Sequence, residues 1–136
     1  MSVERIEGSV AVVSGANRGI GLEYASQFSD KSYTVIGTAR NPDTAEELSV
    51  IADRVEQLDV ADPASVAALA RRLEGVPIDI LINNAGIFER QDTTIDGVDY
   101  EMMERTFAVN TLGPLRVTQA LLPNLRAGQG KLIVSM

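Results

Sequence analysis

The sequence predicts an α/β fold in which a doubly wound parallel sheet carries helices on both faces. Two observations lead to this fold class. Short runs of apolar and β-branched residues alternate along the 136-residue chain with segments whose apolar residues recur at helical spacing. The first run is joined to the first helical segment by a glycine-rich turn, residues 15–21. Because consecutive parallel strands need right-handed crossovers, such an alternation covers both faces of the sheet with helices.

Five strands are predicted from these short runs, which are typical of strands buried on both faces of a parallel sheet. The third run is the most polar, which an edge position would explain. The fifth run lies at the end of the sequence, and we expect it to leave an apolar strand edge uncovered. The predicted strands are residues 9–14, 33–39, 54–58, 78–82 and 131–134.

Four helices are predicted between the strands. Asn41-Pro42 and Asp62-Pro63 each combine an N-cap residue with proline at the first helical position, which marks a helix start. We expect residues 1–8 to be a loose lead-in and residues 87–98 to be a loop. The predicted helices are residues 19–29, 41–51, 99–126, and one that opens at Asp62 and carries Val66, Leu69, Ala70 and Leu73 on one face.

Composition narrows the possible functions. The net charge of −7 argues against a nucleic-acid partner, because phosphate backbones attract clustered Lys and Arg. The sequence has no Cys and no His, which excludes disulfides, thiol catalysis, a structural zinc site and a Ser-His-Asp triad. It also shows neither a long apolar run nor a basic-then-apolar leader. We therefore expect a cytoplasmic protein that binds neither nucleic acid nor a membrane.

Residues 15–21 have the composition of a phosphate-binding turn. Backbone N–H groups at a helix start are unpaired and lie at the positive end of the helix dipole. Glycines allow a sharp turn and let a pyrophosphate approach the backbone. The spacing is G-x-x-x-G-x-G rather than the G-x-G-x-x-G of the common dinucleotide motif. A plain strand-to-helix corner is the alternative interpretation.

Polar or glycine residues follow each of the first four predicted strands, at the edge where open α/β sheets bind ligands. Each has a simpler explanation when taken alone: Asp59 could cap a turn, and Asn84 could occupy a left-handed backbone conformation. Together they indicate an extended ligand that carries phosphates and a purine. They are the glycine turn, Arg40, Asp59 and Asn83-Asn84-Ala85-Gly86.

The end of the second predicted strand favours NADP(H) over NAD(H). NAD sites place an acid about twenty residues past the glycine turn, where it binds the ribose hydroxyls. Here that position holds Thr38-Ala39-Arg40-Asn41, which contains no acid. Arg40 and Arg18 could together clamp a 2′-phosphate. The alternative is a pair of solvated arginines.

Asn110 lies four residues before Pro114 in the long predicted helix. Proline has no N–H, so we expect the helix to kink and the Asn110 carbonyl to lack its helical partner. A free carbonyl beside an amide side chain can hold a water molecule. A bend that only wraps the helix around the sheet is the alternative.

On these residues the chain resembles the single-domain branch of the short-chain dehydrogenase/reductase family. The segment from Ser14 to Gly21 is similar to the family's Thr-Gly-x-x-x-Gly-Ile-Gly turn, with Ser in place of Thr. Asn83-Asn84-Ala85-Gly86 resembles its Asn-Asn-Ala-Gly segment, and Leu58-Asp59-Val60 the segment whose Asp meets the adenine. Asn110 resembles the active-site asparagine whose carbonyl positions a water. The chain looks most similar to the C-factor/Sniffer subgroup, which is similar to carbonyl reductases, at Asp99-Tyr100, Arg105-Thr106-Phe107 and Leu112-Gly113-Pro114-Leu115-Arg116-Val117.

The resemblance implies a Rossmann-type fold with strand order 3-2-1-4-5 and an NAD(P)-binding domain over residues 1–136. It implies an NADP(H)-dependent oxidoreductase that acts on a carbonyl or alcohol, and it would allow a homo-oligomer built on the long helix. The implied site residues are Asn110 for catalysis and, for the nicotinamide dinucleotide, Ser14, Gly15, Asn17, Arg18, Gly19, Ile20, Gly21, Arg40, Asp59, Val60, Asn84, Ala85 and Gly86.

The sequence departs from the family pattern at the catalytic residues. The family ends its fifth strand in a catalytic serine and follows it with Tyr-x-x-x-Lys on the next helix. Tyr24, Tyr33 and Tyr100 have no lysine four residues later, and Ser135 lies too early in the strand. We therefore expect an incomplete domain, without the C-terminal part of the fold, that binds cofactor weakly and does not reduce carbonyls alone.

Two other functions are weighed against this one. A non-catalytic nucleotide-binding or signalling module would need only the cofactor residues. A sugar-nucleotide epimerase or dehydratase of the extended branch would usually have two residues between the first glycines, whereas Gly15 and Gly19 are separated by three.

Overall fold

The computed structural model describes residues 8–89 and 94–136 as five strands and their connecting helices. The predicted lead-in before Gly8 and residues 90–93 of the predicted loop lie outside the described residues. The strands are β1 (Val10–Val13), β2 (Thr34–Ala39), β3 (Arg54–Gln57), β4 (Ile80–Asn83) and β5 (Leu132–Ser135). The α-helices are α1 (Gly19–Asp30), α2 (Glu46–Ile51), α3 (Pro63–Arg72), α4 (Tyr100–Phe107), α5 (Gly113–Ala120) and α6 (Leu122–Ala127).

All five strands form one parallel sheet in the order β3-β2-β1-β4-β5. Val12 of β1 pairs with Ile36 on one side and with Leu81 on the other, and Leu81 pairs in turn with Ile133. The predicted fold class, strand order and edge position of β3 are therefore confirmed. The register places the carboxyl ends of the strands along one edge of the sheet.

Alternate residues of the central strands feed two separate hydrophobic cores. Val12 points to the face covered by α3, α5 and α6, where Leu69, Val117 and Leu125 pack against it. Its neighbours Ala11 and Val13 point to the opposite face, which α1 and α2 cover. This two-sided burial explains why β1 and the first three residues of β4 are unbroken apolar runs, as parallel strands between two helical layers require.

The predicted cap at Asp62 is confirmed, because its carboxylate accepts a hydrogen bond from the Ala64 N–H at 3.0 Å. The predicted helix over residues 41–51 is wrong as a single element. Asn41 instead caps a 3₁₀ turn, Pro42–Thr44, and α2 begins only at Glu46. The break falls at Ala45, whose φ and ψ of −93° and 56° are not helical.

The predicted long helix over residues 99–126 is divided twice. A π-helical segment, Ala108–Leu112, separates α4 from α5 just before Pro114, and α6 follows a second interruption at Leu121. Pro114 cannot donate to a preceding carbonyl, so the regular hydrogen-bond ladder changes where proline was expected to disturb it. That the Asn110 carbonyl lacks a helical hydrogen-bond partner stays a prediction. The second interruption follows from Pro123, whose effect the sequence analysis missed.

The predicted loop over residues 87–98 contains a short 3₁₀ turn, Ile95–Gly97, in its described part. At the far end of the sheet, β5 pairs only with β4 among the described strands. Its Leu132 and Ile133 side chains are 47% and 43% exposed. The expectation of an uncovered apolar edge is confirmed.

Candidate functional site

The carboxyl edge of the sheet holds an open cavity of about 750 Å³. Its walls come from the β1–α1 turn, the end of β2, the segment after β3 and the segment after β4. Open α/β sheets bind ligands at this edge, so the cavity lies where the sequence predicts a site. It is lined by Gly15, Asn17, Arg18, Gly19, Ile20, Ala39, Arg40, Asn41, Thr44, Leu58, Asp59, Val60, Asn84, Ala85, Gly86, Ile87 and Val109.

The glycine turn is packed too closely for larger residues at two positions. Gly15 has a φ of 62°, and a Cβ there would lie 2.8 Å from the Ala85 Cα. A Cβ on Gly21 would collide with the Gly15 carbonyl oxygen and lie 2.5 Å from the Asn84 Nδ2. These two glycines therefore let the turn fold directly against the segment that follows β4. Gly21 itself is buried and does not line the cavity.

Ser14 and Asn84 hold the two sides of this contact together. The Ser14 hydroxyl oxygen accepts hydrogen bonds from the N–H groups of Asn84 and Ala85, both at 3.0 Å. The Asn84 amide nitrogen donates in return to the carbonyls of Ser14 and Gly15, both at 3.2 Å. Ser14 is only 1% exposed and does not line the cavity, so its influence on a ligand would be indirect. The Asn84 side chain thus braces the glycine turn.

The open wall of the turn is formed by residues 17–20. Gly19 has a φ of 58° and begins α1, yet a Cβ placed there would meet no atom within 4 Å. Gly19 therefore has free space beside it where it lines the cavity, and a phosphate group at a helix start needs such space. Ile20 is 61% exposed beside this opening.

Arg18 and Arg40 both line the cavity. Arg18 belongs to the β1–α1 turn, and Arg40 directly follows β2. Each is exposed, and neither forms an ion pair with another described residue. The residues that follow β2 and line the cavity with Arg40 are Asn41 and Thr44, which carry no charge. The cavity therefore offers two guanidinium groups that have no ion-pair partner among the described residues, which suit an anionic group.

Asp59 lies in the cavity wall and also shapes its own loop. Its Oδ1 accepts a hydrogen bond from the Ala61 N–H at 3.0 Å, which confirms the simpler interpretation as a turn-capping residue, while its contact with a ligand stays a prediction. The neighbouring Val60 is buried against α5, where a Cβ on Gly113 would lie 2.7 Å from its Cγ2. Asp59 and Val60 therefore form a fixed part of the wall.

Asn110 does not line the cavity but holds a residue that does. Its side-chain oxygen accepts from the Ile87 N–H at 2.8 Å, and its amide nitrogen donates to the Ile87 carbonyl at 2.7 Å. This pair of bonds ties the π-helical segment to the chain just after Gly86. The Asn110 side chain is held by Ile87 in this way, and a role of its backbone carbonyl in holding a water stays a prediction.

Six lining residues were not among the predicted site residues. Four of them are sequence neighbours of predicted residues at strand ends and could have been found by extending the motifs. Thr44 and Val109 reach the cavity through the 3₁₀ turn after β2 and through the π-helical segment, which the sequence does not reveal. The six are Ala39, Asn41, Thr44, Leu58, Ile87 and Val109.

Comparison with known proteins identifies the family. A sequence model described as short chain dehydrogenase matches residues 9–136. The chain belongs to this family. This short-chain dehydrogenase chain is 36% identical to galactitol 2-dehydrogenase from Agrobacterium fabrum over 137 residues, which cover 95% of the chain and 52% of that relative.

Solved structures of the short-chain dehydrogenase family agree with the fold. NADPH-bound carbonyl reductase from chicken fatty liver matches with a TM-score of 0.78 and 36% identity, over 90% of this chain and 53% of that one. A 3-ketoacyl-(acyl-carrier-protein) reductase from Brucella melitensis, complexed with NADH, matches with a TM-score of 0.77 and 32% identity, over 88% and 51%. The chain spans about half the length of the relatives it matches.

The described residues fit a nicotinamide dinucleotide, which is the kind of ligand bound in these two short-chain dehydrogenase structures. The free space before Gly19 can admit a phosphate, and the unpaired Arg18 and Arg40 can meet further negative charge.

Within residues 8–89 and 94–136, no helix is both long and apolar enough to cross a membrane. The same residues contain no group of three or more Asp or Glu side chains placed to hold a metal ion.

Proposed function

We propose that this chain binds NADP(H) in the cavity and serves an oxidoreductase that interconverts a carbonyl and an alcohol. One observation carries the proposal. Arg18 and Arg40, unpaired with other described residues, line the same cavity as a helix start that is open at Gly19. An NAD-type site would place an acid after β2, and none of the lining residues there is acidic.

Each part of the cavity has a role in this proposal. The N–H groups at the start of α1 bind the pyrophosphate, while Arg18 and Arg40 bind the 2′-phosphate. Asp59 accepts a hydrogen bond from the adenine amino group through the carboxylate oxygen that the turn does not use. When bound, the reduced nicotinamide supplies a hydride to the carbonyl carbon of the substrate. These residues bind and orient; none of them moves a proton.

We also propose that Asn110 positions a water molecule through its backbone carbonyl. Its side chain is hydrogen-bonded to Ile87, which fixes the π-helical segment against the cavity edge. Pro114 cannot donate to the Asn110 carbonyl, because proline has no N–H. Arg116 donates to the nearby Ala108 carbonyl at 3.4 Å, so a side chain also binds one carbonyl of this segment.

A second candidate function is nucleotide binding without catalysis by the 136 residues. Reduction of a carbonyl needs a proton donor, and a tuned general acid contributes about 10²–10⁴ in rate. Tyr24, Tyr33 and Tyr100 are not followed by the lysine that would tune them, and the sequence has no His or Cys. This observation favours a binding role for the chain by itself, whatever activity the whole protein has.

Calorimetric titration with NADPH and NADH tests the cofactor proposal. Loss of a charge-assisted hydrogen bond costs about 1.5–3 kcal/mol, so Arg40→Ala should weaken NADPH binding about ten- to a hundredfold and leave NADH binding almost unchanged. Arg126→Ala, on α6 away from the cavity lining, is the matched control. Equal losses for both cofactors would refute the 2′-phosphate clamp.

A turnover assay separates the two candidate functions. NADPH oxidation is followed with a broad set of aldehydes and ketones, at a cofactor concentration that saturates the chain. We expect binding without turnover. Appreciable turnover would show that another group in the 136 residues supplies the proton, and it would eliminate the second candidate.

We further propose a homo-oligomer that uses the α4–α5 surface. This surface exposes apolar side chains at helical spacing, and α4 has no buried residue. Phe107→Lys should lower the association constant in sedimentation experiments, while Val50→Lys on α2 should not. A monomeric wild-type chain would refute the proposal. The exposed residues are Tyr100, Met103, Phe107 and Leu115.

A further inference from the structure

We infer that Ser65, which lies outside the cavity, is a positioning residue for the proposed cofactor. Its buried hydroxyl holds the backbone at Asp59 and, through the side chain of Gln57, the end of β2. The inference rests on the proposed function, because it concerns the adenine and 2′-phosphate ends of that same cavity.

The Ser65 hydroxyl makes two hydrogen bonds in opposite senses. Its oxygen accepts from the Asp59 N–H at 2.8 Å, and it donates to the Gln57 Oε1 at 2.9 Å. Ser65 is only 8% exposed, so water competes little for these bonds. The hydroxyl therefore joins Asp59, which follows Leu58, to Gln57, which is the last residue of β3.

The Gln57 amide carries the connection to β2. Because its Oε1 is bound to Ser65, its Nε2 is turned toward β2, where it donates to the Arg40 carbonyl at 3.4 Å. The neighbouring ladder bond runs from the Leu58 N–H to the Ala39 carbonyl at 3.0 Å. The Arg40 backbone is thus held by one side chain just beyond the last ladder bond.

Helix α3 is a firm support for this connection. Ser65 lies in its first turn, next to the Asp62 cap. Arg72, in its last turn, donates to the Gln57 carbonyl at 2.7 Å and pairs with Glu56 at 2.7 Å. Both ends of α3 are therefore fixed to β3, and the Ser65 hydroxyl cannot move far from its partners.

The two ends of the connection are cavity residues, whereas its two middle members are not. Asp59 and Arg40 line the cavity, and Ser65 and Gln57 lie behind the wall. The connection therefore sets the separation between the residue proposed for the adenine and the residue proposed for the 2′-phosphate. Ser65 acts on the adenine end directly, and Gln57 acts on the phosphate end.

Two small ligands can distinguish these ends. 5′-AMP carries the adenine without a 2′-phosphate, and 2′,5′-ADP carries both. We expect Ser65→Ala to weaken the binding of both ligands by about two- to tenfold, the range for one lost hydrogen bond. Ser65→Thr keeps the hydroxyl and should restore both affinities. Ser49→Ala, which removes an exposed hydroxyl bound to Glu46 on α2, is the matched control.

Gln57→Met tests for a change in the ratio of the two dissociation constants, which a purely structural role would not produce. It removes the link to Arg40 but leaves the Asp59–Ser65 bond in place. We expect it to weaken 2′,5′-ADP while leaving 5′-AMP unchanged, so that the ratio of the two dissociation constants changes. All titrations use the 136-residue chain at a temperature where circular dichroism shows that each variant is folded.

The possible failures are distinguishable. If the wild-type chain binds neither ligand, the proposed function fails and the inference fails with it. If the wild-type chain binds both, but Ser65→Ala and Gln57→Met leave both affinities unchanged, the inference alone is wrong. If Ser65→Ala does not fold, Gln57→Met decides: an equal loss for the two ligands, or no loss, overturns the inference.

Discussion

Asp79 and Val10 form a closed pair of hydrogen bonds at the amino edge of the sheet. The Asp79 N–H donates to the Val10 carbonyl at 3.0 Å, and the Asp79 Oδ2 accepts from the Val10 N–H at 2.8 Å. Asp53 and Val35 repeat this arrangement between β3 and β2, with distances of 2.9 and 2.8 Å. Each aspartate thus begins a strand by binding both backbone groups of a residue in the neighbouring strand.

The Asp79 pair should contribute more to stability than the Asp53 pair. The Oδ1 of Asp79 also accepts from the N–H groups of Gln129 at 2.7 Å and Gly130 at 3.0 Å, which ties the β5 entry to β4. Asp79→Ala should lower the free energy of unfolding by about 3 kcal/mol or more, because several charge-assisted bonds are lost. Asp53→Ala, which removes one such bond, should cost clearly less. Urea denaturation measures both; an equal loss would contradict the ranking.

The stability supplied by Asp79 should disappear in acid. Burial raises the pKa of the Asp79 carboxyl, but the N–H groups of Val10, Gly130 and Gln129 lower it by more, so it lies below its ordinary value of 3.8. A carboxyl whose folded pKa is lowered stabilises the fold fully above the unfolded pKa and loses that effect as the pH falls through the folded pKa. The stability difference between wild type and Asp79→Asn should therefore shrink below pH of about 4. A difference that stays constant from neutral pH to pH of about 2 would refute this cause.

The close approach at Gly15 gives a third prediction. Gly15 and Gly75 both have a positive φ, of 62° and 78°, but only at Gly15 would a Cβ meet a neighbour, the Ala85 Cα at 2.8 Å. Alanine in a left-handed conformation costs about 1–2 kcal/mol. Gly75→Ala should lose about that amount, and Gly15→Ala should lose more, together with nucleotide binding. Thermal denaturation of the two variants checks this, and similar losses would show that the Ala85 contact is relaxed easily.

The clamp between Asn110 and Ile87 predicts a local effect. Asn110→Ala removes the acceptor of the Ile87 N–H, so the exchange of that amide with solvent should speed up about fivefold, the effect of a bond worth about 1 kcal/mol. Thr111→Ala, at the next residue of the π-helical segment, should leave this rate unchanged. Hydrogen exchange followed by NMR measures both variants. No change in Asn110→Ala would mean that other contacts hold the segment.

The uncovered edge of β5 should promote association between copies of the chain. Exposed apolar strand edges pair with other chains, and Ile133 is 43% exposed on this edge. Ile133→Lys should reduce the large species seen by light scattering of the purified chain. Val50→Lys, at an 87% exposed position on α2, tests whether added charge alone has the same effect. A monodisperse wild-type chain would contradict the prediction.

The sheet and the cavity were predictable because local signals determine them. Apolar runs of strand length and a glycine turn specify where β1 ends and α1 begins, and parallel topology then brings all carboxyl ends to one edge. Arg18, Arg40 and Asp59 lie in one cavity for this reason. The N-cap at Asp62 and the edge position of the polar strand β3 were predicted from equally local features.

The contacts that hold the cavity in shape were not predictable in the same way. No pattern near Ser65 in the sequence predicts that its hydroxyl bonds to Gln57, because the bond depends on how α3 packs on β3. Pro114 signals a disturbed helix, but whether the disturbance is a kink or a π-helical segment depends on the packing of both flanking helices. Residues that act through tertiary contacts leave no periodic signal.

The two aspartate–valine pairs and the cavity occupy opposite edges of one sheet, and this separation has an evolutionary consequence. Substitutions at the carboxyl edge can alter ligand preference without touching Asp53 or Asp79, which secure the strands from the other side. Selection can therefore act on recognition and on folding through largely independent sets of residues. A chain arranged in this way can diversify its chemistry while it retains a nearly constant scaffold.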